Sequence, residues 1–211
     1  LDLHVDDIAT FPELRWVGYL STTGVYGDHQ GGWVDETTPP TPASDRSQRR
    51  HIAEQAWLAF GRQCNISVHV FRLSGIYGPG RSAFDQLRAG AAKRIDQPGQ
   101  VFSRIHVDDI AAVLSASMAK PRDGAIYNLA DDLPASPAEV VEYAAKLLGV
   151  EPPPLMSLAE AQLSPMAQSF YAENKRVANR LIKQEFRLAL THPTYREGLA
   201  AILKAEKALQ A

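Results

Sequence analysis

Trp16-Val17-Gly18-Tyr19-Leu20 is followed at once by Ser21-Thr22-Thr23-Gly24-Val25-Tyr26-Gly27-Asp28. The first five residues are apolar on both faces and are bounded by turn residues. That pattern suits a buried parallel strand, although five residues do not separate strand from helix by periodicity alone. The next eight place three hydroxyls at the strand's C-terminal end. In open α/β sheets, that is the end where ligands bind.

Downstream, Gly27, Gly31, Gly32, Pro39, Pro40 and Pro42 make residues 27–44 a loop. Ser44 is an N-cap candidate for a helix with Ile52, Ala53, Ala56, Trp57 and Phe60 at helical spacing, stopped at Gly61. Val68–Leu73 is β-branched and aromatic, hence a strand, and Ser74–Arg81 is a Gly/Pro loop at its end. A helix over Ala83–Ala92, an extended piece Val101–His106, a helix from Asp108 to Met118 and an apolar strand Ala125–Leu129 follow. Upstream, Leu3, Val5 and Ile8 among Asp2, Asp6 and Asp7 read as the tail of a helix. Strands alternating with helices to residue 130 predict an α/β fold built on a parallel sheet.

Beyond residue 130 helices dominate. Ser136-Pro137-Ala138-Glu139 combines an N-cap, proline at the first helical position and a capping-box glutamate. Val140, Val141, Ala144, Leu147 and Leu148 form the buried stripe, and Gly149 suits the C-cap. Ser157–Glu160 and Thr194–Glu197 repeat the box spacing.

The 211 residues, 45% hydrophobic and 22% charged, bound a soluble globular chain of one domain or slightly more. A net charge of −2 and a pI near 6.3 argue against nucleic acid as the main partner. No apolar run is long enough to span a bilayer. The single Cys64 excludes an intrachain disulfide, reads as a small hydrophobe and fits a reducing, cytoplasmic setting.

Several residues could carry chemistry. The hydroxyls of Ser21, Thr22 and Thr23 could bind a substrate oxygen, or could simply cap the strand end and turn. Gly75-x-x-Gly78-Pro79-Gly80-Arg81 permits close backbone approach to a ligand but has no following Gly-Lys-Ser/Thr, so it is no P-loop. Arg46, Arg49 and Arg50 could grip a phosphate or form a solvated basic face. His106 beside Asp108 and Asp109 lacks a second nearby His or Cys, so no metal site is expected; Asp108 is read as an N-cap with His106 packed locally. There is no G-x-S-x-G elbow for hydrolase chemistry. Tyr26 and Tyr77 are read as packing residues with tethered hydroxyls.

Leu20–Gly27, Asp35-Glu36-Thr37, Pro42, Glu54, Arg72–Gly80, Ile105–Asp109 and Tyr127-Asn128 occur in an order and spacing that resembles the extended short-chain dehydrogenase/reductases. Within them the chain is similar to the atypical, sugar-nucleotide-epimerase-like NAD-dependent epimerase/dehydratases. The C-terminal Tyr195–Leu199 looks like that family's final helix. The resemblance implies the C-terminal part of a Rossmann-like parallel sheet with flanking helices, plus a small, mainly helical substrate region. It implies a partial NAD(P)-binding domain over residues 1–130 and a substrate region over 131–211, with 79–104 able to join the latter.

The resemblance also implies roles. Thr22 matches the Ser/Thr that bonds the substrate oxygen, and Ser21, Thr22, Arg50, Leu73 and Gly75 would border NAD or NADP. Thr23, Arg81 and Asn174 would contact a nucleotide or sugar-nucleotide, with Lys175 beside them. The family's Tyr-x-x-x-Lys falls on Arg46 and Arg50. Arginine, with a pKa above about 12, cannot serve as a phenolate would. A catalytically inactive binding or scaffold protein on the same fold is therefore the alternative. No Gly-rich first βα unit is present, and the resemblance implies an N-terminal segment of about four strands ahead of Leu1. The edge of strand Trp16–Leu20 would then be covered by that segment, a partner or a rearranged stretch. A homodimer through the Ser44–Phe60 helix is implied as well, with Trp57 at the interface or in the core.

Overall fold

The computed structural model describes residues 4–210. Leu3, part of the expected helix tail, lies outside the described residues. The chain opens with α1 (Val5–Ala9) and β1 (Trp16–Thr22), then β2 (Trp33–Val34), α2 (Asp45–Cys64), β3 (Ser67–Leu73) and β4 (Gly75–Tyr77). It continues through α3 (Ala83–Arg88), β5 (Arg94–Ile95), β6 (Arg104–His106), α4 (Val107–Ala119), β7 (Ala125–Leu129) and α5 (Pro137–Leu148). It closes with β8 (Leu155–Met156), α6 (Pro165–Tyr171), β9 (Arg176–Val177), α7 (Arg180–Phe186) and α8 (Tyr195–Gln210).

The central sheet is parallel, in the order β1-β3-β7. Its register sets Thr22 opposite Leu73 and Leu73 opposite Leu129, so all three strands end in one row. Period-two alternation divides β3 between two layers. Val68 and Val70 pack with Leu58 and Phe60 of α2. Phe71 and Leu73 pack on the other face with Ile110 and Val113 of α4 and Ile182 and Phe186 of α7. This is a mixed α/β fold with parallel strands flanked by helices, as the sequence predicts.

A second cluster joins Tyr77, Phe84, Ala135, Val140, Tyr195 and Leu199, bringing β4, α3, α5 and α8 together. Gly198 makes this possible: a Cβ there would stand 2.1 Å from the Tyr77 hydroxyl oxygen. That hydroxyl donates to the Thr194 carbonyl at 3.3 Å, so Tyr77 is a tethered packing residue. Three further parallel pairs, β4–β6, β5–β8 and β2–β9, form separate two-stranded sheets.

Local signals and structure agree at several caps. Ser44 accepts from the Ser47 N–H at 3.2 Å, the Ser136/Glu139 box is closed, and Gly149 takes φ +70°. They differ at others. Gly61 does not stop α2, which runs on to Cys64 and ends at left-handed Asn65. Gly61 is small because the chain returns over it: a Cβ would lie 2.7 Å from the Ile66 carbonyl oxygen. Helix α3 ends at Arg88 rather than Ala92, before Gly90 at φ +63°. The loop over 27–44 contains the two-residue strand β2, held by β9. Ser157 and Glu160 do exchange their box hydrogen bonds, but over a turn and not a helix.

No described segment pairs with the outer edge of β1. Leu20 there is 41% exposed, and its carbonyl accepts from the Arg50 guanidinium. The expectation of a rearranged covering segment is therefore not met among the described residues. On α2, Trp57 packs against Tyr19 and Phe60, with ring centroids 6.3 and 5.7 Å apart, while Ile52 points outward.

Candidate functional site

The common strand ends open into one cleft of about 1180 Å³. Thr22 and Gly75 both line it, with Ser21, Thr23, Arg46, Arg50, Leu73 and Arg81. The hydroxyl shelf and the glycine loop thus face a single cavity. The cause is the register of β1 on β3, which places Thr22 level with Leu73, two residues before Gly75.

Thr22 caps the short 3-10 turn Thr23–Tyr26 by accepting from the Gly24 N–H at 3.1 Å. Its own O–H remains free to donate to a ligand oxygen. Thr23 donates to the Leu73 carbonyl at 3.4 Å, fixing the gap between the two strand ends. Ser21 is different: it is 2% exposed and its hydroxyl donates to Glu54 at 2.5 Å, so its side chain serves the core.

Arg46 and Arg50 sit one turn apart on α2, and both line the cleft. Arg50 is braced by the Leu20 carbonyl and by the Tyr19 ring, 5.1 Å below its guanidinium carbon. Among the described residues, Arg46, Arg50 and Arg81 form no salt bridge, which leaves this wall positive. Arg49 is not part of it. Asn174 also lies off the cleft wall: its side chain accepts from Val101 N–H at 3.2 Å and donates to the Gly99 carbonyl at 2.9 Å. It clasps two loops, and its neighbours Glu173 and Lys175 are the ones that face the cavity. Lys175 donates to the Gly27 carbonyl at 2.7 Å and pairs with Glu173 at 2.5 Å.

Behind the shelf runs a buried polar chain. Arg72 shares strand parity with Val68 and Val70, so it meets Glu54 of α2 in a two-point pair at 3.2 and 2.8 Å. The Arg72 guanidinium carbon lies 4.8 Å over the Tyr26 ring. Tyr26 is fully buried and donates to Asn128 at 2.8 Å; the Asn128 N–H donates to Glu36 at 2.8 Å. Burial raises both the Tyr26 phenol and the Glu36 carboxyl. Tyr26 therefore supports the site from behind and does not reach the cavity.

The β4–β6 wall contributes residues that the motifs did not single out. Arg104 stands opposite Gly75 in the β4–β6 register and lines the cleft with Tyr77, Phe102, Tyr171 and Tyr195. Asp131, 2% exposed, lies near it and is pushed up to about 7 by burial. The folded pKa is raised above the unfolded carboxylate value of about 3.9, so native Asp131 favours its proton. Its stabilising contribution is complete below the unfolded pKa and is lost as pH climbs through about 7. Urea unfolding should show a downward slope of stability between about pH 4 and 7 that flattens in Asp131→Asn.

Sequence distance misled at His106. His192, from the loop before α8, lies against it with ring centroids 3.8 Å apart. A second histidine therefore does join His106 and Asp108, so the ground on which a metal site was excluded does not hold. The rings are stacked at 32°, however, whereas a metal bonds in an imidazole's plane. His106, not Asp108, caps α4, accepting from the Asp108 N–H at 3.2 Å. Asp109 is fully buried and accepts from the Thr191 and His192 N–H groups at 2.7 and 3.1 Å. The cluster staples α8's leading loop onto α4.

Three groups on the cleft wall could hold the nicotinamide half of a dinucleotide. Thr22 offers a free O–H, Ser74 at the wall has a buried hydroxyl with no described partner, and Gly75 exposes backbone. No Gly-rich pyrophosphate turn occurs among the described residues.

Protein YeeZ of Escherichia coli (strain K12) is 36% identical over 137 residues, 64% of this chain and 47% of YeeZ. The chain thus spans about half the length of the curated relative it matches. A solved, functionally unknown conserved protein from Silicibacter pomeroyi DSS is 55% identical, with a TM-score of 0.91 over 97% of this chain and 72% of its own. MoeE5, solved in complex with UDP-glucuronic acid and NAD, shares the fold at a TM-score of 0.77 and 22% identity, over 97% of this chain and 69% of its own. The profile of the NAD dependent epimerase/dehydratase family matches residues 12–130. No helix among the described residues is long and apolar enough to cross a membrane. The fold, the shared cleft and the profile together place this chain in the NAD-dependent epimerase/dehydratase family.

Proposed function

We propose that the protein binds NAD or NADP together with a nucleotide-sugar-type substrate and acts on that substrate. The observation that carries this reading is the single cleft in which Thr22, Arg46, Arg50, Gly75 and Arg81 meet. Thr22 donates its O–H to a substrate oxygen. Arg46 and Arg50 supply positive charge for a ribose or phosphate, and Arg81 does so for the substrate. Ser74 and the Leu73–Gly75 backbone border the nicotinamide side. The nicotinamide, when bound, supplies hydride acceptance and donation.

A second reading is favoured by one observation. By the resemblance Arg46 would stand at the general-acid position, and Tyr26, the other candidate, is fully buried with its hydroxyl on Asn128. The fold would then hold a nucleotide without turnover, as a sensor or scaffold. A homodimer through α2, with exposed Ile52 at its face, belongs to either reading.

Isothermal titration with NAD, NADH, NADP and NADPH tests the proposal. Saturable binding of one redox pair is expected. Binding of none would remove the cofactor from it. Turnover of a nucleotide sugar would then separate the enzyme from the scaffold.

A further inference from the structure

His106 and His192 are both buried, at 2% and 6% exposed, and their rings lie face to face with centroids 3.8 Å apart. His106 ends β6 and caps α4, while His192 belongs to the loop 187–194 that leads into α8. The Asp108 N–H donates to His106 Nδ1 at 3.2 Å. That nitrogen therefore keeps its lone pair, and the ring is neutral with its proton on Nε2. His106 Nε2 and His192 Nδ1 have no hydrogen-bond partner among the described residues. Charging His106 puts a proton on Nδ1, against the Asp108 N–H, and costs α4 its cap.

The charged and titratable groups facing the pair come from α4 and β4. Asp108 of α4 stands 3.5 Å from His106 Nδ1, but its carboxylate is exposed and screened by water. Asp109 of α4 is fully buried, 3.3 Å from His192 Nδ1. Tyr77 of β4 meets the His106 ring edge-on at 5.1 Å, and Arg104, Asp131 and Glu197 face Tyr77 in turn. Asp132 holds the Pro193 carbonyl through its backbone N–H at 2.7 Å, with its carboxylate bound to Lys183 and Asn179. One proton on the pair has Asp109 to balance it. A second puts two cations face to face, with only the screened Asp108 left beside them. Burial and the neighbouring His192 hold His106 below the ordinary imidazole value.

We propose that the stacked His106–His192 pair is an acid-released latch. It holds the loop 187–194 on α4 while at most one ring is charged, and lets the loop go when both are. Neither histidine lines the cavity, yet the latch reaches it. Tyr77, packed on His106, and Tyr195, at the loop's end, both line the cleft, and the Tyr77 hydroxyl donates to the Thr194 carbonyl. Acid thus loosens one cleft wall from outside the ligand-binding surface. The sign follows from His106: its folded pKa lies below the unfolded value of about 6.5, so the latch is fully closed above that value and weakens as pH falls below it.

Amide hydrogen exchange of the whole chain, read by NMR at about pH 7 and 5 and corrected for the intrinsic pH dependence of exchange, tests this. The reporters are the Thr191 and His192 N–H groups, which donate to Asp109 at 2.7 and 3.1 Å, with β3 amides as the internal reference. In the wild type, the opening constant of the reporters should rise by up to about tenfold per pH unit for each proton taken up, while β3 stays protected. His192→Phe keeps a flat ring on His106 without the second charge and should abolish the rise. His106→Asn keeps an acceptor for the Asp108 N–H and should do the same. A wild-type opening constant that does not change between the two pH values overturns the latch. So does an equal rise in a folded His192→Phe. Should neither variant fold, titration of the wild-type imidazole signals decides: both rings charging with the reporters still protected overturns the latch, and protection lost as the second ring charges supports it.

Discussion

Replacing Glu54 by alanine is expected to destabilise the protein by about 3–5 kcal/mol, the largest effect of any single substitution at this site. Glu54 is fully buried and accepts from Arg72 twice and from Ser21 once. Alanine would strip the Arg72 guanidinium, itself 2% exposed, of its salt-bridge partner among the described residues. It would also free the Ser21 hydroxyl and leave a cavity between α2 and the sheet. Glu54→Gln keeps the volume and can still accept from Ser21, so its loss should be smaller. Exchanging both partners for apolar residues of similar size should recover much of the loss, because the desolvation cost of the pair disappears with it. Urea midpoints at constant m-value measure this. A shift for Glu54→Ala within about 0.5 kcal/mol would mean that the pair is not the tie between α2 and β3. Because Ser21 precedes Thr22, the same variant should also loosen the shelf.

Thr22→Val should lower turnover of a nucleotide sugar by about 10²–10³-fold, the scale found when one oriented donor to a reacting oxygen is removed. Valine keeps the β-branched shape that suits the strand end. It loses two things: the O–H facing the cleft and the cap on the Gly24 N–H. The cap alone is worth about 1 kcal/mol of stability and does not affect a chemical step. Thr22→Ser separates the two, since serine keeps both the donor and the cap and should retain most activity. Steady-state kinetics beside a thermal melt make the comparison. Unchanged turnover in a folded Thr22→Val would move the substrate oxygen away from the shelf. The same assay bears on Arg46: turnover by the wild type, which has arginine and no phenol at that position, would require another group to handle the proton.

Local signals were legible wherever one segment decides its own conformation. The strand cores Trp16–Leu20, Val68–Leu73 and Ala125–Leu129, the Ser44 and Ser136 caps and the Gly149 turn all follow from neighbours within a few residues, whereas Ser21 and Thr22, read as a turn, continue β1. Gly61 shows where that reasoning fails. A glycine in a helical pattern reads as a stop, but here it is a contact with the returning strand, invisible until Ile66 is placed. Asn174 and Lys175 show the same limit in the site. Both are polar and adjacent, and only the loops at Gly99–Val101 and Gly27 decide which clasps and which faces the cavity.

Hydrophobic periodicity and turn chemistry, both short-range, therefore determined the layers of this protein and the hydroxyl-bearing strand end. Tertiary structure decided which distant groups became neighbours: Glu54 with Arg72, His106 with His192, and Arg104 with Asp131. Strand register and helix packing set those meetings, and charge has no periodicity that a sequence could display.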